Sequence, residues 1–591
     1  MMNGTHPNQP KKIGSLAHNT REPAKIKEEN PLNKNLICEQ VKYNRHKFEV
    51  KKITLVRFAN PFSYSIEYHY LCAKYSLTFE ISGMSLKKVK SALISVYHKT
   101  GLEEILQELR KQDVVIYSTG GTQKFIEAQG VEVQAVETLT SYPSILDGRV
   151  KTLHPKIFGG LLARREENHL AQLAEYDIPE LDLVIVDLYP FEETVASTDD
   201  EATIIEKIDI GGISLIRAAA KNFQDVVVVP SQNEYPELLE ILREKNGFTD
   251  KADRKQFAKK AFEVSSHYDV AIFNYFADGD EPSVFKRSVK PAKVLRYGEN
   301  PHQQGIFYGE LEDLFDIHGG KALSFNNLVD IDAAVSLMAE FKDEDPTFAI
   351  LKHTNACGLA TRETINEAWH AALACDNISA FGGILIANRP IDEATATEIN
   401  NLFYEVLIAP SFDDAALAIL SKKKKRILMS IKHWDLGKVM HKNLLNGVLL
   451  QDRDTKVDTA QDFSTVTDTK PTDMQIKDLE FASICAKHLK SNTIALVKNK
   501  QMIGMGCGQT SRVDSCNQAI AKAKQFGFDI EGAVMASDAF FPFPDCVEIA
   551  HKAGIRAVVQ PGGSINDKLS IAYCNEHNIP MVLTGTRHFK H

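Results

Sequence analysis

The stretch SALISVY, residues 91–97, decides the fold because it opens a regular alternation of strand and helix patterns. Its short apolar run predicts a strand, and Leu102–Lys111 follows with apolar residues at helical spacing. Residues 113–117 return to a strand pattern, and residues 123–129 and 131–136 repeat the helix and the strand. This βαβαβ opening predicts an α/β domain with a parallel sheet and with ligand sites beyond the carboxyl ends of its strands.

A glycine pair follows the second predicted strand, in the sequence Thr119-Gly120-Gly121-Thr122. Its N–H groups lie at the positive end of the next predicted helix, where a phosphate binds well. A purely structural turn is the competing interpretation, and the glycine pair alone does not separate the two.

The segment GRVKTLHP, residues 148–155, concentrates cationic, titratable and hydroxyl groups. Arg149 supplies a planar fork for a phosphate, and Lys151 supplies a mobile charge or a proton donor. Since N–H groups of a turn can complete an anion cradle, the segment is suited to a phosphorylated small molecule. A solvated basic loop is the alternative.

The composition bounds the class of protein. A chain of 591 residues exceeds what one core usually organises, so we expect two to four domains. No apolar run approaches the roughly 20 residues that span a bilayer, so we expect no membrane segment. Nine cysteines without a C-x-x-C pair argue against a disulfide framework or a cysteine-rich zinc site, and favour a reducing, cytoplasmic location.

The net charge of −9 is unevenly distributed along the chain. Residues 1–83 carry 13 Lys and Arg against 7 Asp and Glu, and they lack the pattern of a secretory signal. A basic arm that contacts nucleic acid is one interpretation of this segment. We expect instead that residues 1–83 are a dispensable extension, because the regular α/β pattern starts near Met84.

Further motifs follow in a fixed order: DLYPF at 187–191, DIGG at 209–212 and KN at 221–222. Together with the two earlier motifs, they closely resemble the cyclohydrolase half of the AICAR transformylase/IMP cyclohydrolase family of purine biosynthesis. The resemblance implies a methylglyoxal-synthase-like (MGS-like) fold for this half. It also implies closure of the purine ring, in which a carboxamide nitrogen attacks a formamide carbonyl and water is lost.

The resemblance implies site residues in this half, carried over position by position. The chemical groups are Lys151, Tyr189, Asp209 and Lys221, since lysines and a tyrosine with shifted pKa values suit proton transfer. The nucleotide contacts are Lys99, Thr119, Gly120, Gly121, Thr122, Arg149 and Thr152, together with Asp209. Tyr97 is left out, because relatives often have Ser-Asp where this chain has Tyr97-His98.

Asp209 and Lys221 present a geometric difficulty. If they belonged to one straight helix, about 18 Å would separate their backbones. Either Gly211 and Gly212 delay the start of the helix, or the two residues contact different ends of a nucleotide.

The second half of the chain contains LRYGENPHQ at 295–303 and AILKHTNACG at 349–358. In the second segment, an apolar strand pattern leads Lys352 and His353 into a turn. Adjacent side chains of a regular strand face opposite ways, so both residues serve one site only if the strand ends there. A buried, hydrogen-bonded histidine is the usual alternative. Both segments resemble the transformylase domain of the same family.

The resemblance implies cytidine-deaminase-like α/β/α subdomains and a formyl transfer to AICAR, with 10-formyltetrahydrofolate as cosubstrate. His353 is the expected proton acceptor, and Lys352 stabilises the oxyanion or shuttles the proton. The expected AICAR and folate contacts are Arg296, Tyr297, Gly382, Glu405, Asn492, Gln509, Arg512, Asp538, Phe540, Asp545 and Arg587. Glu405 stands where relatives have Asp.

Two other signals carry less weight. The basic run KKKKR at 422–426 resembles a nucleic-acid segment, but a solvated helix end within an acidic chain is the more ordinary interpretation. No histidine begins an H-x-E triplet, so the zinc signature of the deaminases is missing from the sequence and we expect no catalytic metal.

The resemblance extends over residues 84–591 and divides them into a cyclohydrolase domain, 84–285, and a transformylase domain, 286–591. Near this boundary, Lys251–Phe276 has a helical pattern, and the polar residues 278–282 after it predict a linker. It implies a homodimer that acts on AICAR, formyl-AICAR, IMP and folate, with no nucleic acid or membrane partner. Two other classes remain as alternatives: an MGS-like phosphate-sensing module fused to a formyltransferase, and methylglyoxal synthase itself. The second would leave some 300 C-terminal residues without a purpose.

Overall fold

The computed structural model describes residues 41–44, 47–50, 86–146, 149–277 and 283–591. The chain divides into two units, Met1–Ser85 and Leu86–His591. In the first unit, β1 (Val41–Asn44) and β2 (Lys47–Val50) form an antiparallel pair. The rest of residues 1–83 lies outside the described residues, so their dispensability stays a prediction.

The N-terminal part of the second unit is built on a parallel sheet with helices around it. Its elements up to the sheet's fourth strand are β3 (Lys87–Lys88), β4 (Ser91–Ser95), α1 (Leu102–Lys111), β5 (Val115–Ser118), α2 (Gly120–Ala128), β6 (Gln134–Ala135), α3 (Val136–Thr140), α4 (Pro155–Leu162), α5 (Glu167–Glu175) and β7 (Leu183–Val186). The remaining elements are α6 (Phe191–Ser197), α7 (Glu201–Ile205), α8 (Gly211–Lys221), β8 (Val227–Val229), α9 (Tyr235–Glu244), β9 (Phe248–Thr249) and α10 (Lys251–Phe276). The five-stranded order is β6-β5-β4-β7-β8, with every neighbouring pair parallel.

The predicted order of strands and helices at the start of this domain is confirmed, but some of the elements begin or end at other residues than predicted. Helix α1 has the predicted bounds and buries Leu102, Ile105, Leu106 and Leu109 on one face. Helix α2 begins at Gly120, three residues earlier than predicted, so the glycine pair forms the first turn of a helix. Strand β6 is only two residues long because α3 starts directly after it.

Helix α10 is the long helix that the sequence predicts, and a capping box fixes its start. The side chain of Asp250 accepts the N–H group of Asp253, and the Asp253 carboxylate accepts the N–H group of Asp250. Residues 278–282, the predicted linker, lie outside the described residues.

The C-terminal part contains two six-stranded sheets, each formed by a consecutive set of elements. A small antiparallel pair, β10 (Ala292–Val294) and β11 (Ile306–Tyr308), precedes them. The first set is β12 (Phe315–Gly319), α11 (Phe325–Ala339), β13 (Thr347–Lys352), β14 (Asn355–Thr361), α12 (Ile365–Cys375), β15 (Ile384–Ala387), α13 (Glu393–Ile399), β16 (Val406–Ala409), α14 (Asp414–Leu420) and β17 (Ile427–Ile431).

An exposed hairpin, β18 (Val439–Leu444) with β19 (Gly447–Asp452), separates the two sets. The second set is β20 (Ser464–Thr465), α15 (Asp473–His488), β21 (Ile494–Val497), β22 (Met502–Gly506), α16 (Arg512–Gln525), β23 (Val534–Ser537), α17 (Asp545–Ala553), β24 (Ala557–Gln560), α18 (Asp567–Glu576) and β25 (Met581–Leu583).

The two sheets repeat one topology. Their strand orders are β12-β17-β16-β15-β13-β14 and β20-β25-β24-β23-β21-β22, and each step has the same parallel or antiparallel sense in both sheets. We call the two sets the first and second repeat. Their sheets share one hydrophobic core, which includes Leu351 of the first repeat and Val497 of the second.

The repetition extends to individual side chains. Ser324 and Thr472 form the same capping box at the starts of α11 and α15. A Cβ on Gly358 would lie 2.1 Å from the carbonyl oxygen of Ala372, and a Cβ on Gly504 would lie 2.3 Å from that of Ala519. Each glycine therefore lets a helix pack directly against the strand at the matching place.

A tight turn joins the second and third strands of each repeat, β13 to β14 and β21 to β22. We name residues 352–355 the first hairpin and residues 498–501 the second hairpin. Both contain two consecutive left-handed residues, His353 and Thr354 with φ of 52° and 65°, and Asn499 and Lys500 with φ of 55° and 50°. Two such residues are what a two-residue hairpin turn requires.

Within the described residues, no helix is both long enough and apolar enough to cross a membrane.

Candidate functional site

The predicted residues of the N-terminal part collect at the carboxyl edge of its parallel sheet. Lys99 follows β4, Thr119 follows β5, Tyr189 follows β7, and Asp209 precedes α8. Parallel strands bring these loops to the same edge, which is where such sheets bind ligands.

Lys151 lies directly above the glycine pair. A Cβ on Gly120 would come within 3.2 Å of the Lys151 ammonium nitrogen, while a Cβ on Gly121 would meet nothing within 4 Å. Gly120 has φ of +56°, in the left-handed region that favours glycine. The ammonium group and the N–H groups at the start of α2 thus face one open space suited to an anion.

Asp209 is a buried carboxylate at the start of α8. It accepts the N–H group of Gly212 at 2.6 Å, and its own N–H group donates to the hydroxyl of Tyr268. Burial raises the pKa of Asp209, and the charge of Asp187 raises it further, although backbone N–H groups oppose both. A raised pKa brings this carboxyl group closer to the range in which it can exchange a proton.

Tyr189 stands half-exposed beside Asp209. Burial raises the pKa of its phenol, and the charges of Asp209 and Glu206 add to the effect. Its ring meets the edge of Tyr97 at 5.6 Å, and the ammonium of Lys207 lies 5.8 Å from its centre. The phenol therefore stays protonated and can donate a hydrogen bond to a reacting oxygen.

Sequence reasoning missed Asp187 as an organiser of this edge. Its carboxylate accepts the N–H groups of Tyr97 and His98, and the latter bond is 2.9 Å long. Asp187 thereby fixes the loop that carries Lys99, whose ammonium donates to the carbonyl of Val96. The signal was available, because Asp187 is the first residue of the DLYPF motif.

Several predicted contacts have partners within the protein. Thr122 exchanges hydrogen bonds with the backbone of Val96, and Thr119 donates to Glu137 at 2.6 Å. Arg149 pairs with Glu206 on the surface. Thr152 is buried, with its hydroxyl 3.4 Å from where a Cβ on Gly211 would lie. The side chain of Thr122 therefore stabilises the fold.

Lys221 is not brought to this edge. Helix α8 begins at Gly211, so Asp209 lies just outside it, and the helix then runs without a break to Lys221. About 15 Å of helix separates Lys221 from the end that carries Asp209. The role of Lys221 stays a prediction that requires contact with a different part of the substrate.

Lys352 and His353 occupy the first hairpin as the sequence predicts. Strand β13 ends at Lys352, whose ammonium donates to the carbonyl of Phe381 at 2.8 Å. His353 is exposed, so its imidazole is available to a substrate. The buried, hydrogen-bonded histidine considered as the alternative is not what the structure contains.

Four predicted residues of the second repeat form one connected cluster. The Arg512 guanidinium donates to Asp538 at 2.6 Å and to the side-chain oxygen of Asn492 at 2.9 Å. Asn492 donates in turn to the backbone carbonyl of Gln509. Asp538 and Arg512 are buried, so this pair shapes the site more than it presents free charge.

The remaining predicted contacts are distributed around the two repeats. Gly382 has φ of +75° just before β15, and Glu405 pairs with Lys321. Phe540 is exposed after β23, and Asp545 begins α17. The Arg587 guanidinium lies over the ring of Phe589, and that of Arg296 lies near the ring of Tyr297.

Buried ionic contacts support the segment that carries Arg587. His588 pairs with Asp454 at 2.6 Å and with Asp458 at 3.2 Å. Burial alone would lower the pKa of His588, but the two carboxylates raise it to about 9. No group of three or more His, Cys, Asp or Glu suited to a metal occurs among the described residues.

Comparison with known proteins gives matches along almost the whole second unit. The model of the "AICARFT/IMPCHase bienzyme" family matches residues 219–522, and that of the MGS-like domain matches residues 101–214. A protein of Bacteroides thetaiotaomicron named "Bifunctional purine biosynthesis protein PurH" is 60% identical over 506 residues, which are 85% of this chain and 99% of that protein.

Proteins of the same name from Chlorobium chlorochromatii and Acetivibrio thermocellus are 46% and 45% identical. These matches cover 86% and 85% of this chain and 100% of each relative. This chain therefore belongs to the AICARFT/IMPCHase bienzyme family.

Proposed function

We propose that this protein carries out the last two steps of IMP synthesis, using the edge around Lys151 for ring closure and the first hairpin for formyl transfer. The observation that carries the proposal is the 60% identity to the Bacteroides thetaiotaomicron protein over 506 residues. The two family models match the segments that contain Lys151 and the first hairpin. AICAR, formyl-AICAR and IMP are then its substrates and product, and 10-formyltetrahydrofolate is the formyl donor.

Formyl transfer needs a proton acceptor. The 5-amino group of AICAR is a weak nucleophile, because its lone pair is delocalised into an imidazole that bears a carboxamide. As its nitrogen attacks the formyl carbon, His353 takes the amine proton. The bond from the formyl carbon to the folate nitrogen then breaks, and a proton returns to that nitrogen as tetrahydrofolate leaves. Lys352 stabilises the oxyanion between the two steps.

Ring closure needs both proton removal and proton delivery. The carboxamide nitrogen attacks the formyl carbon of the same molecule, and the carbonyl oxygen finally leaves as water. Tyr189 and Asp209 lie together at the edge, where one group donates and the other accepts a proton. Lys151 and the N–H groups around Gly120 hold anionic groups, and binding brings the two ends of the substrate together.

We expect a homodimer with a formyl-transfer site built from both subunits. The exposed β18–β19 hairpin supports an interface, since Leu445 is 99% exposed and Leu449 is 59% exposed. Sedimentation at assay concentration checks this expectation, and an active monomer would contradict it. The seven cysteines among the described residues are free thiols, and most of them are buried, which fits the cytoplasmic location. The boundary between 84–285 and 286–591 is likewise our prediction.

The first experiment supplies AICAR and 10-formyltetrahydrofolate to the full-length protein and measures IMP. His353→Ala is expected to slow formyl transfer by roughly 10²–10⁴, while supplied formyl-AICAR still cyclises. Lys151→Ala is expected to slow cyclisation by about 10² or more and to let formyl-AICAR accumulate. The proposal fails if the unaltered protein forms no IMP. The division of roles fails if folded His353→Ala no longer cyclises formyl-AICAR.

A further inference from the structure

The first hairpin is held in a conformation that its own residues disfavour. His353 and Thr354 both have positive φ, and a β-branched threonine rarely adopts that region. Left-handed backbone is disfavoured for residues other than glycine, so a contact from outside the turn helps to hold these two residues in place.

Asp330, on helix α11, supplies that contact. Its carboxylate accepts the N–H group of Thr354 at 2.8 Å and also that of His353. Burial raises the pKa of Asp330, while the two N–H groups and the nearby His353 ring oppose the rise. The carboxylate thus reaches the backbone of both left-handed residues and lies within electrostatic reach of the imidazole.

The second repeat contains the same clamp, by which we mean a helix carboxylate that accepts both N–H groups of the hairpin, but it lacks the histidine. Asp478 lies six residues after the N-cap Thr472 of α15, as Asp330 lies six residues after the N-cap Ser324 of α11. Its carboxylate accepts the N–H groups of Asn499 at 2.8 Å and Lys500 at 2.7 Å. The clamp is therefore a structural device of the repeat, and the first repeat uses it to hold a reactive group.

We propose that Asp330 is a positioning residue for formyl transfer, which fixes the first hairpin so that the His353 imidazole stays in the orientation that receives the amine proton. This inference rests on the proposed role of His353. Because the Asp330 carboxylate accepts both N–H groups, it restricts the backbone that carries the His353 imidazole. The orientation of the imidazole relative to the amine governs the rate of proton transfer between them.

The test compares Asp330→Ala and Asp330→Asn with Asp478→Ala in the full-length protein. Asp330→Ala is expected to lower kcat for formyl transfer roughly 10- to 100-fold, with KM for AICAR changed less than about threefold. Asp330→Asn keeps an oxygen acceptor and is expected to recover part of kcat. Asp478→Ala removes the matching clamp and is expected to leave kcat within about twofold of the original, although both alanine variants lose stability.

Cyclisation of formyl-AICAR and the unfolding midpoint are measured on every variant. The positioning role is overturned if Asp330→Ala keeps full kcat, or if Asp478→Ala lowers kcat as much as Asp330→Ala does. If Asp330→Ala fails to fold, the folded Asp330→Asn is compared with Asp478→Ala. The role is also overturned if these two variants lose the same fraction of kcat for the same loss of stability. His353→Ala with unchanged formyl transfer would instead refute the proposed function of the hairpin, so the two failures are distinguishable.

Discussion

The first and second hairpins have nearly the same backbone and different chemistry. Lys352 and Lys498 hold equivalent places, since the first donates to the carbonyl of Phe381 at 2.8 Å and the second to that of Glu531 at 2.7 Å. The following residue differs, because His353 in the first hairpin corresponds to Asn499 in the second. The comparison separates what the fold requires of a hairpin from what the reaction requires.

The lysine belongs partly to the fold, because both repeats use it to tie the hairpin to the loop before the next strand. Under the proposed function the histidine serves the reaction and not the turn, because asparagine tolerates the left-handed conformation better than histidine or threonine does. The first repeat thus accepts a less favourable turn residue where a proton acceptor is wanted, as expected for strain stored at a functional site.

The largest effect is expected from exchanging the residues that distinguish the hairpins. His353→Asn gives the first hairpin the residue of the second, and formyl transfer should fall by roughly 10²–10⁴ because the proton acceptor is lost. The free energy of unfolding should change by no more than about 0.5 kcal/mol, since asparagine suits this backbone. Rate assays and denaturant unfolding measure the two quantities. The reciprocal Asn499→His should leave both activities unchanged, and a loss of formyl transfer there would break the distinction.

A smaller effect is expected where a helix packs against a strand glycine in each repeat, and it should be equal in the two repeats. Gly358→Ala and Gly504→Ala each place a methyl group against a helix carbonyl, so each should lower the free energy of unfolding by roughly 1–3 kcal/mol. Gly447→Ala is the control, since a Cβ there meets nothing within 4 Å. Unfolding in urea compares the three variants. A neutral Gly504→Ala beside a damaging Gly358→Ala would show that the repeats do not pack alike.

The smallest effect concerns a contact that only the second repeat carries, at its C-terminal end. The pKa of His588 is raised to about 9 in the folded protein, so its ion pairs contribute fully below about pH 6.5. The contribution disappears as pH rises through 9. With an allowance for the exposed side of Asp454, we expect a loss of about 1–2 kcal/mol between these limits. Unfolding measured at both pH values in the parent and in His588→Asn checks this, and an equal pH response would contradict it.

Local patterns predicted the elements whose sequence and environment agree. Helices α1 and α10 have the predicted bounds, because a regular apolar face defines one and a capping box starts the other. The end of β13 at Lys352 was predicted as well, since an apolar run gives way to polar residues there.

Contacts between segments that lie far apart in the sequence could not be predicted from local patterns. Asp330 precedes the first hairpin by more than twenty residues and occurs inside a helical pattern, where a single carboxylate looks like any solvated side chain. The repetition was also hidden, because the repeats share few identical residues and their capping residues, glycines and clamps are single positions. The motifs assign Asp209 and Lys221 to the same half of the chain, but they do not show that helix α8 begins after Asp209 and carries Lys221 at its other end.

The common core of the two repeats has a consequence for their association. Each repeat presents an equivalent surface to the other, and the backbone of Thr361 in the first repeat hydrogen-bonds to Lys500 of the second hairpin at 3.0 Å. Two like surfaces facing one another form what would be an isologous interface if the repeats were separate molecules. A single repeat produced alone would therefore expose that apolar surface and pair with a copy of itself, so the covalent link between the repeats turns a concentration-dependent pairing into an intramolecular one.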